Sequence, residues 1–105
     1  MEADLSMGND ATDALAICWA AAQGDLHEMQ RLVASGVNLE AADYDGRTGL
    51  HLAASEGQLE IVKFLIAKKV NVNPKDRWGG TPLADAKRHN HKKVVEFLES
   101  RGGAV

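Results

Sequence analysis

Apolar residues in this chain recur in short helical stripes, separated by polar turns that carry glycine, and the stripes come in pairs. Ala14 to Gln23 is an alanine-rich stretch that reads as a helix ended by Gly24. Asp25 suits the N-cap of a second helix with Leu26, Met29, Leu32 and Val33 on its apolar side, and Gly36 suits the left-handed turn after it. Val37 to Arg47 reads as an extended loop turning at Asp45-Gly46. The cycle then recurs. A short helix follows Thr48 up to Glu56 and stops at Gly57, and a longer one over about 58–68 has Leu59, Ile61, Val62, Leu65 and Ile66 apolar. A second extended loop spans 70–80, with Gly79-Gly80 near its tip. A third helix pair over about 81–89 and 91–101 ends at Gly102-Gly103.

The interval between equivalent positions is 33 residues, as in Ala20, Ala53 and Ala86, in Ile17, Leu50 and Leu83, and in Leu32, Leu65 and Leu98. Such a period means a stack of supersecondary units rather than one globular core. The predicted fold is an all-α solenoid of three helix–turn–helix units joined by extended β-turn loops. The units cover about 13–42, 43–75 and 76–101, with 1–12 a flexible tail or cap and 102–105 a disordered tail. The outer units carry polar residues where the middle one is apolar: Glu28 for Ile61, Arg31 for Phe64, and Lys87 for Ala54. The order is therefore expected to be cap, one full internal repeat, cap.

Thr48-Gly-Leu-His-Leu-Ala and Thr81-Pro-Leu-Ala-Asp-Ala resemble the T-P-L-H-x-A signature of the ankyrin repeat, with Gly49 in place of its proline and Ala84 in place of its histidine. The resemblance extends over about residues 14–101. Thr48 and Thr81 suit helix caps, Pro82 a first helical turn, and His51 a structural hydrogen bond toward the neighbouring loop. Asp43-Tyr-Asp-Gly-Arg-Thr, Glu60-Ile-Val-Lys-Phe-Leu-Ile and Pro74-Lys-Asp-Arg-Trp-Gly are similar to the small C-terminal ankyrin module of glutaminases. The stretch Pro74 to Ala86 is also similar to plant ankyrin-bearing kinases related to integrin-linked kinase. Neither catalytic domain is present in this chain.

Charge adds a direction along the stack. The net charge is −3, but residues 1–62 carry eleven acidic and two basic side chains, whereas 63–105 carry four acidic and ten basic ones. One end is therefore expected to be acidic and the other basic, which predicts salt-sensitive head-to-tail self-association. The basic end has no accompanying nucleic-acid motif, so nucleic acid is disfavoured as a partner. Cys18, the single cysteine, fits a reducing compartment and a buried, inert thiol. There is no apolar run of membrane-spanning length and no secretion-signal pattern, so the expected location is cytoplasmic.

Little catalytic chemistry is visible. The chain has no phosphate-binding glycine loop, zinc-protease helix, nucleophile elbow or Cys-x-x-Cys pair. His89-Asn90-His91 lies beside Lys92 and Lys93, whose charge opposes metal binding, and His91 stands where Asp25 and Gln58 open the other second helices. No enzyme activity, cofactor, metal or small-molecule substrate is expected.

The resemblance implies a protein or peptide partner on the concave side, formed by loop tips and first helices. The variable position of the signature is Trp19, Leu52 and Asp85, and the tips carry Tyr44, Asp45, Arg77 and Trp78. Arg47 and Arg88 complete the candidate set. Tyr, Trp and Arg are the types enriched in binding hot spots. The remaining aromatics, Phe64 and Phe97, are expected at buried helix positions. Two structural readings stand beside this one: Trp78 packing across its loop onto Pro74 or a neighbouring turn as a structural clip, and Trp19 covered by residues 1–12.

Overall fold

The computed structural model describes residues 10–105, which form six helices and, among the described residues, no strand. They are α1 (Asp10–Gln23), α2 (Leu26–Ala34), α3 (Gly49–Ser55), α4 (Leu59–Ala67), α5 (Pro82–Arg88) and α6 (Lys92–Ser100). Helices pair along the chain as α1–α2, α3–α4 and α5–α6, and the first helices stack α1 on α3 on α5. The result is the expected all-α repeat solenoid.

Threonine sets the start of the short first helices. Thr48 Oγ1 accepts from the His51 N–H and Thr81 Oγ1 from the Ala84 N–H. Repeat one has Leu15 at that position, so no side-chain cap interrupts the chain there. The helix runs on to Asp10, three residues into the segment expected to be a tail or cap. The rest of that expectation falls on residues 1–9, outside the described residues.

Ala20, Ala53 and Ala86 are buried where the first helices meet, and their small side chains let the helices approach closely. Met29, Leu32, Ile61, Val62, Leu65, Val94 and Leu98 of the second helices fill the remaining space. Burying one such leucine is worth about 2 kcal/mol.

Side chains at equivalent positions also stitch each repeat to the one before it. Gln58 Nε2 donates to the Ala22 carbonyl at 3.0 Å, and His91 Nε2 donates to the Ser55 carbonyl at 2.9 Å. These side chains lie across the left-handed turns at Gly24 and Gly57. A Cβ at Gly57 would come within 2.5 Å of the His91 ring. The equivalent third turn is Asn90, also left-handed at φ 61° but exposed, so a side chain fits.

Gly49 has a packing reason for departing from the signature proline. A Cβ there would lie 2.5 Å from Ile17 Cγ2, the branch methyl that the equivalent Leu50 lacks. Two expectations change. Residues 102–104, read as part of a loose tail, are tied back: Ala104 N donates to Asn73 Oδ1 at 2.8 Å and Thr81 Oγ1 donates to the Ala104 carbonyl at 2.6 Å. Phe64 and Phe97 are half-buried rather than buried, and a lysine or arginine cation lies over each ring.

Candidate functional site

The two loop tips are built alike. Asp43 Oδ1 accepts from the backbone of Asp45 and Arg47, each at 2.9 Å. Asp76 Oδ1 accepts from Trp78 at 2.9 Å and Gly80 at 2.7 Å. A carboxylate bonded to its own turn fixes the tip without a sheet. The side chain at the next position, Tyr44 or Arg77, is thereby held outside the turn.

Arg77 locks the tips together. Its backbone N–H donates to the Asp45 carbonyl at 2.8 Å, and its guanidinium pairs with Asp45 Oδ1 at 3.1 Å. The same guanidinium lies 5.5 Å from the centre of the Trp78 ring. This pair is exposed, so its worth lies in orientation more than in stability. Trp78 keeps 69% of its surface exposed and Tyr44 96%. Trp78 is thus not buried by a clip onto Pro74.

Trp19 projects from α1 and is 67% exposed. One turn earlier lies Leu15, 73% exposed and absent from the expected set. Leu15 and Tyr44 share a groove of about 420 Å³ with Ala11, Thr12, Ala42 and Asp43. The signal for Leu15 was in the sequence: it is an apolar residue at the threonine position of the repeat, four residues from Trp19 and so on the same helix face.

The structure divides the expected set. Trp19, Tyr44, Arg77 and Trp78 are exposed, and Asp45, Arg47 and Leu52 are partly so. Asp85 is corrected: it is only 1% exposed. Its short carboxylate turns inward, with Oδ1 2.9 Å from the Arg88 guanidinium and Oδ2 buried without a hydrogen-bond partner. Arg88 remains largely exposed above it.

Asp85, Asp76 and His51 bring potential ligand atoms within 4.8 Å of one another. His51 is already saturated, however. Its Nδ1 accepts from the Thr48 N–H at 3.1 Å, so its Nε2 carries the hydrogen that it donates to the Gly80 carbonyl at 2.9 Å. No ring lone pair is left for a cation, and the bond links α3 to the following loop. Cys18 takes the equivalent place in repeat one, with its thiol donating to the Arg47 carbonyl at 3.6 Å. Burial pushes this thiol up to about 11, with the Asp43 charge adding to the effect and Arg47 opposing it. Such a thiol is a poor nucleophile at neutral pH.

No helix among the described residues is long and apolar enough to cross a membrane. The geometry is that of a helical repeat stack, in which side chains held by stacked turns form part of the surface and apolar side chains form the interior. The sequence profile of ankyrin repeats (3 copies) matches residues 17–104, and the chain belongs to the ankyrin-repeat family. No curated protein matches the chain closely enough to count as a relative.

Proposed function

We propose that this chain is a non-catalytic scaffold that binds a segment of a partner protein on its loop-and-first-helix face. Ankyrin repeats generally mediate protein–protein interaction, and one observation carries the finer reading. Of the large apolar side chains left exposed among the described residues, Leu15, Trp19, Tyr44 and Trp78 all belong to α1 or to the loop tips, and only Val105 lies elsewhere. Exposed aromatics beside an oriented arginine are what an interface anchor requires. Asp45, Arg47, Leu52 and Arg88 would form the polar rim, while buried Asp85 would act through Arg88. The free thiol and the absence of any long apolar helix among the described residues support a cytoplasmic setting.

The test compares capture of partners from the source lysate by wild type and by an Arg77→Ala/Trp78→Ala variant of unchanged helical content. Proteins retained by wild type should be lost from the variant. Equal capture by both would remove the tips from the interface.

The uneven charge supports a second mode, head-to-tail association of copies. Its apparent mass by light scattering should fall as salt is added. The phrases around Asp43, Glu60 and Pro74 support a third context, a regulatory or oligomerisation module of a larger enzyme such as a glutaminase. An upstream catalytic domain in the natural reading frame would decide for it.

A further inference from the structure

A second surface lies on the outer helices. Lys63, Ile66, Ala67, Lys69, Phe97 and Arg101 line a groove of about 490 Å³ on α4 and α6. Its floor is apolar. Its rim is cationic, with Lys63 Nζ 5.9 Å and the Arg101 guanidinium 4.9 Å from the centre of the Phe97 ring. One ring thus draws two like charges toward each other, and Lys69 adds a third. The ion pairs found among the described residues are Arg31–Glu28, Arg77–Asp45, Lys87–Glu99 and Arg88–Asp85, so none of these three cations is neutralised by a carboxylate.

The backbone of Lys69 is an independent sign. The equivalent positions in repeats one and three are Gly36 and Gly102, at φ 85° and 89°. The middle repeat holds a lysine there at φ 66°. Lysine in the left-handed region is less stable than glycine, so a cation is kept at the groove against a conformational cost. Asn90, the other non-glycine residue at positive φ among the described residues, is of a type that tolerates that region.

We propose that this groove binds a short acidic segment of a partner protein, in which carboxylates flank one apolar side chain. The apolar residue would lie against Ile66 and Phe97, and its neighbours would meet Lys63, Lys69 and Arg101. Charge selects a short segment over a membrane or duplex. An extended polyanion would also meet the half of the chain that carries eleven acidic and two basic side chains, whereas a short peptide touches only the basic end. The phenylalanine rings already carry cations on their faces, which leaves no open platform for stacked bases.

The test is an NMR titration of the ¹⁵N-labelled full chain with a blocked Glu-Glu-Leu-Glu-Glu peptide, alongside a Lys-Lys-Leu-Lys-Lys control. Amides of α4 and α6 should shift with the acidic peptide only, and added salt should weaken the effect. Lys63→Ala/Arg101→Ala should raise the Kd by about tenfold. Lys69→Gly should raise the melting temperature and also weaken binding. Arg77→Ala/Trp78→Ala should leave the Kd unchanged, which separates this site from the loop-tip face. The proposal is overturned if Lys69→Gly binds as wild type does, if the shifts fall on α1 and the tips, if no shift occurs at millimolar peptide, or if phosphatidylserine vesicles bind the chain and the peptide does not.

Discussion

His51 donates its Nε2–H to the Gly80 carbonyl 2.9 Å away, across 29 residues of chain, from a fully buried ring. The other ring nitrogen accepts from the Thr48 N–H, so one side chain caps its own helix and holds the next loop. His51→Ala would orphan the Thr48 N–H, leave the Gly80 carbonyl with only the Asp76 N–H, and open a cavity. The expected loss is about 3 kcal/mol in urea unfolding. A loss below about 1 kcal/mol would mean that the bridge is incidental.

Gly49 and Ile17 should be coupled. Gly49→Pro restores the signature residue but drives a Cβ toward Ile17 Cγ2. Alone it should destabilise by about 1–3 kcal/mol through overpacking. With Ile17→Leu, the branch methyl is gone, and the proline should instead stabilise by about 0.5–1 kcal/mol by restricting the unfolded chain. A double-mutant cycle with additive effects would rule out the contact as the reason for the glycine.

These two contacts show where sequence reading stops. Helix limits were legible because Gly24, Gly57, Thr48 and Thr81 punctuate the chain locally, and register was legible because equivalent residues recur. Residue type at a register position does not fix exposure, however. Trp19 and Asp85 share a position, yet indole is too bulky to turn inward while a short carboxylate beside Arg88 and His51 is not. Phe64 and Phe97 sit higher on the surface than their hydrophobicity implies, with neighbouring cations over their rings. Leu15 was legible in principle, as a departure from the threonine of its register.

Cys18 should resist alkylation. With its thiol pushed up to about 11 from an ordinary 9.0 by burial first and Asp43 second, its thiolate fraction is depleted. Iodoacetamide at about pH 8 should label it about 100-fold more slowly than a free thiol of ordinary pKa. Labelling should become fast in denaturant. Rapid labelling of the folded chain would show that repeat one opens readily and that the thiol bond to Arg47 is transient.

Acid should loosen the second tip through Asp76. Desolvation on its own would raise this carboxyl, but the N–H groups of Gly80 and Trp78, with help from the Arg47 charge, hold it below the ordinary 3.8. A depressed acid binds protons more readily in the unfolded chain. Its contribution is therefore present above the unfolded value and is lost as pH falls through the lower, folded one. Asp76 should make no difference to the pH dependence of stability between about pH 5 and about pH 7, and should steepen the decline below about pH 4. Asp76→Asn keeps an oxygen that can accept from both N–H groups, so the turn should survive while this titration disappears. The variant should show a shallower acid limb in melts recorded from neutral pH downward. An unchanged limb would assign acid unfolding to other carboxylates and leave Asp76 with a purely conformational role.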